Sequence, residues 1–143
     1  MTVKAVLFPH SPIEFTTPED LRSWLAIDLK EDNGYYRLHE APGLGQLEKG
    51  SIVFFVKDRI IVGMAIVEED IRKIKDEENT ETKEYQQIVK FFPNSIWVFS
   101  RENCVSIEKF DKAANWGKLR PDSAYKEIDN LRQLLILLNM ANH

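Results

Sequence analysis

The chain has 143 residues, of which 43% are apolar and 29% charged. That is the balance of one globular domain able to bury a core, and it excludes a disordered chain. The formal net charge of −4 argues against a protein held to nucleic acid mainly by many phosphate contacts. The acid is local, however. Residues 68–84 carry eight carboxylates against four lysines and arginines, so this stretch accounts for the whole net charge and the rest of the chain balances. A small basic face is therefore compatible with the composition.

The longest strongly apolar run, residues 134–138, falls far short of the roughly 20 residues a membrane-spanning helix needs. Residues 1–8 lack the apolar stretch of a secretion signal. Cys104 is the single cysteine, which excludes an intrachain disulfide and implies no oxidising compartment, so a cytoplasmic location is expected. It sits in a Cys-Val-Ser-Ile stretch that reads as strand, where a small buried cysteine is expected rather than a nucleophile.

In chain order, residues 3–8 predict a short strand closed by Pro9. Thr17 then caps a helix, with Pro18 in its first turn and Glu19 and Asp20 at the positive end of its dipole. Leu21, Trp24, Leu25 and Leu29 give that helix one apolar face, and Asn33-Gly34 ends it. Residues 35–38 read as a short strand. Ala41-Pro42-Gly43-Leu44-Gly45 reads as a connector, because its glycines do not run into the helix start that a phosphate-binding loop requires.

Residues 51–56 and 60–67 are the clearest elements. Both are β-branched and aromatic, and the short polar Lys57-Asp58-Arg59 between them predicts a hairpin. They are almost continuously apolar, so both faces should be covered. Gly63 inside the second strand predicts a bulge or a close backbone approach. Residues 68–82 read as an acidic excursion with a helical turn. Residues 84–92 and 95–99 suggest a second hairpin turned at Pro93-Asn94, and residues 103–107 a further strand. Residues 110–119, around Asn115-Trp116-Gly117, read as irregular. A terminal helix is expected from Pro121-Asp122-Ser123. Its stripe of Ala124, Ile128, Leu131, Leu135 and Leu138, broadened by Leu134, should cover the sheet, with a dimer seam as the alternative.

No metal or cofactor is expected. His10, His39 and His143 form no His-x-x-x-His pair, there is no Cys-x-x-Cys, and no Gly-x-Ser-x-Gly elbow is present. Binding is easier to motivate than catalysis. Phe8 precedes Pro9-His10-Ser11, Tyr35 and Tyr36 follow Asn33-Gly34, and Trp116 follows Asn115. Aromatic faces beside hydrogen-bonding groups at loop boundaries can stack on a base and read its edge. Core filling is the expectation for Phe8, Tyr36, Trp24 and Trp97. For Trp116, beside Lys118 and Arg120, both roles remain open.

The hairpin Lys49-Gly50-Ser51-Ile52-Val53-Phe54-Phe55-Val56 with Ile60-Ile61-Val62-Gly63-Met64-Ala65-Ile66-Val67 resembles a recurring piece of the PUA-like superfamily, which includes EVE, ASCH, YTH and SRA domains. There a Gly-Asp-Ile-Val strand precedes Ile-Val-Gly-x-(Gly/Ala)-x-Val. The order of elements is also similar, and EVE-like domains are the nearest in pattern. Ser51 stands where an aspartate is common, the Gly-x-Lys-x-x-Glu signature of ASCH domains is missing, and the paired tryptophans of a YTH cage are not recognisable. The resemblance implies an α+β fold: a small, mixed, strongly curved sheet or pseudobarrel flanked by helices, as one domain over residues 1–143 with a C-terminal amphipathic helix. It also implies a pocket for a nucleobase, often a modified one.

The expected function is a noncatalytic nucleic-acid-binding module that recognises a modified or flipped base, with DNA or RNA as partner. Trp116 and Tyr35 or Tyr36 would stack, His10, Ser11 or Asn115 would read the edge, and Lys118, Arg120 and Arg101 would meet phosphates. The rivals are a protein-interaction or homodimer module, and a small nucleoside-type hydrolase. The sign of a hydrolase would be a cleft holding a lysine and a carboxylate close together.

Overall fold

The protein is described here from a computed structural model, which covers residues 4–10, 15–38, 47–78, 85–119 and 126–142. The two apolar runs at its centre form β3 (Ile52–Lys57) and β4 (Ile60–Lys73), paired antiparallel from Ile52 opposite Ile66 to Lys57 opposite Ile60. Around them lie β1 (Ala5–Pro9), β2 (Tyr35–Leu38), β5 (Gln87–Phe91), β6 (Trp97–Val98), β7 (Val105–Ser106) and β8 (Lys126–Ile128). The main path is β2-β5-β4-β3-β1-β8, an unclosed sheet. It is mixed, because β1 runs parallel to β3 while its other neighbour β8 is antiparallel.

The sheet curves because β4 changes partner along its length. Gly63 and Met64 pair with β6, Ile60 and Ile61 with β7, and the residues from Val67 onward with β5. The register shifts between Phe55 and Val56, opposite Gly63 and Ile61, so β4 carries the extra residue of a bulge, Val62, next to Gly63. Gly63 also allows a close approach: a Cβ there would lie 2.7 Å from the Trp97 carbonyl oxygen. Both readings of that glycine hold together.

Successive strand residues point to opposite faces, and the sheet uses this to build two cores. On one face Val6, Val53, Phe55, Val62 and Ala65 pack against Leu21 and Leu25 of α1 (Pro18–Ala26) and Leu29 of α2 (Asp28–Glu31), with Phe8 partly buried at the margin. On the other, Ala5, Leu7, Phe54, Val56 and Ile61 meet Phe110 of α3 (Ile107–Ala114), Leu134 and Leu137 of α4 (Leu131–Ala141), and Trp116. The hairpin is thus covered on both sides. Thr17 caps α1 by accepting the Asp20 N–H at 3.1 Å.

Four local expectations change. Residues 68–73 continue β4 rather than leaving the sheet, since paired main chain tolerates polar side chains on an exposed strand. β5 and β6 do not form a hairpin, because each pairs with a different part of β4. Residues 107–114 are helical, with Ser106 as the cap accepting the Lys109 N–H and Asn115 ending the helix in the left-handed region. The terminal helix starts later than its apolar stripe suggests. Lys126–Ile128 extends along the free edge of β1, and Asn130, not Ser123, caps the helix by accepting the Gln133 N–H. The 41–45 connector and residues 121–123 lie outside the described residues. Among those residues no helix is long and apolar enough to cross a membrane.

Candidate functional site

The parallel pairing of β1 with β3 carries both strands to one end of the sheet, where Pro9 lies opposite Val56. The backbone N–H of His10 extends this ladder by one bond, donating to the Val56 carbonyl at 2.9 Å. Just beyond, Asp58 and Arg59 turn β3 into β4. On the other side the chain leaving α3 returns as residues 116–119 and leads to β8. Between these segments lies a shallow open cleft, with about 460 Å³ of free space only when the open solvent at its mouth is included. Leu7, Pro9, Val56, Ile107, Trp116 and Leu119 give it apolar walls, and Asp58, Arg59, Lys118 and Lys126 give it a charged rim.

Three residues singled out from the sequence meet in this cleft: His10, Trp116 and Lys118. Trp116 is 4% exposed, packs on Phe110 at 5.5 Å between ring centroids, and donates its indole N–H to the Glu127 carbonyl at 3.0 Å. The left-handed Asn115, at φ 52°, sets this up by stopping α3 and letting the chain fold back; Gly117 N–H then caps onto the Asp111 carboxylate at 2.8 Å. Asn115 itself is exposed at that corner. Lys118 Nζ bonds the Glu127 carbonyl at 2.9 Å and also pairs with Asp129.

His10 is a joint between the cleft and the aromatic layer under α1. Its ring lies 4.4 Å from Phe8 and nearly parallel to Tyr36 at 5.9 Å, with Phe15 and Phe55 also in contact. Burial pushes its pKa down to about 4, although the Val56 and Phe8 carbonyls pull the other way. The ring is therefore neutral at pH 7. Tyr36 is buried against Trp24 at 4.8 Å. Tyr35 points to the opposite side of β2, where Lys90 Nζ sits 5.4 Å from its ring centre. Arg101 pairs with Glu19 of α1 at 2.9 Å, holding that carboxyl below its usual range. α1 covers the sheet face opposite the cleft, so the structure does not bring Arg101 to His10 and Trp116. Ser11 and Arg120 lie outside the described residues.

The sequence reading passed over Asp58, Arg59 and Lys126. Their place at the cleft depends on β1 lying parallel to β3, a pairing no local pattern announces. One signal was available: a two-residue hairpin turn written Asp-Arg rather than with a glycine. Asp58 of the rim is also ion-paired with Lys57, which is 3% exposed and lies outside the cleft lining, its Nζ 2.9 Å from Asp58 Oδ1. Cys104 bonds toward the Ser100 carbonyl and burial pushes its thiol up, away from nucleophilic character. Among the described residues no group of three or more His, Cys, Asp or Glu side chains is placed to hold a metal.

No protein-family model matches the sequence, and no curated protein matches it either. Solved structures do. A hypothetical protein from Leishmania major is similar at a TM-score of 0.60 and 12% identity, covering 99% of this chain and 96% of its own. The YTH domain of a Zygosaccharomyces rouxii protein, solved in complex with N6-methyladenosine RNA, is similar at 0.56 and 13%, covering 97% and 87%. An ASCH protein from Zymomonas mobilis is similar at 0.51 and 9%, covering 95% and 94%. YTH and ASCH domains share the PUA-like architecture, and with both cores, the unclosed curved sheet and the β1–β3 parallel pair in place, this chain has the PUA-like fold.

Proposed function

We propose that this protein is a noncatalytic nucleic-acid-binding module that takes one unstacked base, flipped or modified, into the cleft at the end of β1 and β3. The observation that carries this reading is the meeting of His10, Trp116 and Lys118 in one cleft with apolar walls and a charged rim. Apolar walls suit the faces of a planar ring, and cations at the mouth suit the phosphates on either side. Trp116 contributes as a fixed wall held by Phe110 and Glu127 rather than as a free stacking plate. The YTH neighbour bound to N6-methyladenosine RNA supports a nucleic-acid partner through its fold.

Fluorescence anisotropy with single-stranded RNA and DNA, each with and without a modified base, tests the reading at low salt. Binding should weaken as salt rises, and Lys118→Glu should lower affinity for every sequence about equally. No binding to any member of the panel at low salt would sink it. The Lys57–Asp58 pair favours the nucleoside-type hydrolase as a second reading. Release of free base or nucleoside during the same incubations, abolished in Asp58→Asn, would replace binding with catalysis. Leu131 and Leu135, 63% and 55% exposed on α4, favour a protein-interaction or homodimer module as a third. Light scattering decides it, and a monomer at high concentration removes the homodimer.

A further inference from the structure

Two ion pairs stand at the mouth of the cleft, one on each side. Arg59, on the hairpin turn, pairs with Glu108 in the first turn of α3, and Lys118, on the returning chain, pairs with Asp129 just after β8. The two cations line the cleft and the two carboxylates do not. A third pair shows how differently an ion pair can be built. Outside the cleft lining, Arg72 holds Glu78 fork to fork, Nη1 at 2.7 Å from one carboxylate oxygen and Nη2 at 2.6 Å from the other. Arg59 meets Glu108 side-on, through Nε alone. Its two Nη groups have no partner among the described residues.

The groups that each pair would leave behind are already provided for. Glu108 Oε2 also accepts the Ser106 hydroxyl at 3.1 Å, and the carboxylate draws on the Glu108 backbone N–H at the positive end of α3. Lys118 Nζ shares the Glu127 carbonyl with the Trp116 indole N–H, so that carbonyl keeps a donor when the lysine leaves. Asp129 is exposed to water. Opening either pair therefore strands no buried group, and exposed pairs of this kind are weak.

We infer that Glu108 and Asp129 compete with the phosphates of a bound strand for Arg59 and Lys118, so that binding at this rim is an exchange of ionic partners and the free protein holds its own cations in check. This rests on the nucleic-acid reading above and deepens it by naming the contacts that binding breaks. A phosphate offers two oxygens to the open fork of Arg59, a bidentate contact that Glu108 does not make. Keeping Glu108 as well would set two anions on one cation, so the phosphate displaces the carboxylate. Lys118 is a point charge and takes a new partner without a preferred orientation.

Anisotropy with one single-stranded RNA at several salt concentrations tests this, with Glu108→Gln and Asp129→Asn made singly and together. Each substitution removes a competitor and should raise affinity about threefold to fivefold, the worth of an exposed ion pair, and the two together about tenfold or more. The slope of log affinity against log salt should stay the same, because the same phosphates are met. In an Arg59→Gly background the gain from Glu108→Gln should vanish and the gain from Asp129→Asn should survive. Unchanged affinity in both single variants overturns the inference and leaves the nucleic-acid reading standing. So does a Glu108→Gln gain that survives in Arg59→Gly, which would be a long-range effect of net charge. Failure of wild type and of all the variants to bind any oligonucleotide removes both. A second measurement uses the unaltered protein. Arg59 holds the Glu108 carboxyl below its usual range, and saturation with the strand should move its ¹³C-monitored titration up toward that range. A carboxyl whose titration does not move has kept its arginine, and that overturns the inference by itself.

Discussion

The two faces of the β1–β3 pair come from alternate residues of the same short strands, yet they end differently. On the α1 face Phe8 and Phe55 run into Tyr36, Trp24 and Phe15, from β2, α1 and the segment before it, and the rings meet stacked, tilted or edge to face at 4.8–6.5 Å and close the sheet end. On the α3 and α4 face Leu7 and Val56 are buried as well, in the core with Phe110, Leu134 and Leu137, but with Pro9 they also border the cleft, with Ile107, Trp116, Leu119 and the charged rim across it. The strands supply comparable apolar surface to both. What differs is the number of elements that arrive to cover it. The cleft therefore lies at the margin of the second core, where the cover thins toward the strand ends and the few polar groups sit at the seam.

The sharpest way to break that comparison is to truncate one large residue on each face. Phe55 is fully buried among the rings, so Phe55→Ala should cost about 3–5 kcal/mol in urea unfolding. Leu119 is exposed at the cleft mouth, so Leu119→Ala should cost less than about 0.5 kcal/mol. Similar costs at the two positions would mean that the cleft is closed in solution.

His10 sits on the seam, and pH reads it. Its folded pKa of about 4 lies below the ordinary 6.5, so between those values the unfolded chain binds a proton that the folded chain refuses. The contribution is full above about pH 6.5 and is lost as pH falls toward 4, an effect of order 3 kcal/mol. Urea midpoints of wild type should drop across that window, and those of His10→Phe should drop less. Parallel profiles for the two proteins would place the imidazole in water rather than at the seam.

A smaller effect tests the cleft wall. Trp116→Phe keeps a ring against Phe110 but removes the indole N–H, while the Glu127 carbonyl keeps its bond from Lys118 at 2.9 Å. The expected cost is about 1 kcal/mol in unfolding free energy. A loss near that of Phe55→Ala would show that Trp116 holds β8 in place rather than simply walling the cleft.

The seam also shows how far the sequence could be read. The β3–β4 hairpin was legible because its signals are local: β-branched runs, a short polar turn, and a glycine where Trp97 presses in. Capping by Thr17 was legible for the same reason. The terminal segment misled because the stripe through Ala124 and Ile128 has helical spacing, whereas Ile128 is buried by pairing opposite Ala5, far away in sequence. Of the residues lining the cleft, His10, Trp116 and Lys118 stood out in the sequence by their position at loop boundaries. Arg59, Asp58 and Lys126 were missed because parallel pairing is a long-range fact. Arg101 sits beside Trp97 and Phe99 in sequence, but its guanidinium is turned to α1.

The smallest expected change in stability is also the most discriminating about the rim. Asp58 and Arg59 both have positive φ, 51° and 63°, as a two-residue hairpin turn of this hand requires. Glycine adopts that conformation freely, whereas a residue with a side chain gives up about 1–2 kcal/mol. Arg59 recovers part of this through its ion pair with Glu108, whose carboxyl it holds below the usual range. Half-exposed pairs of this kind contribute roughly 0–1 kcal/mol. The two effects nearly cancel, so Arg59→Gly should leave stability unchanged or raise it by up to about 1 kcal/mol. Its guanidinium, by contrast, stands at the cleft mouth, where a strand's phosphate would pass. Oligonucleotide affinity should fall, and the slope of log affinity against log salt should shrink by about one. Glu108→Gln sharpens the point from the other side, since it releases Arg59 and should strengthen binding. If Arg59→Gly instead unfolds the protein by more than about 2 kcal/mol with an unchanged salt slope, the arginine is a strut between hairpin and α3 and the rim ends at Lys118.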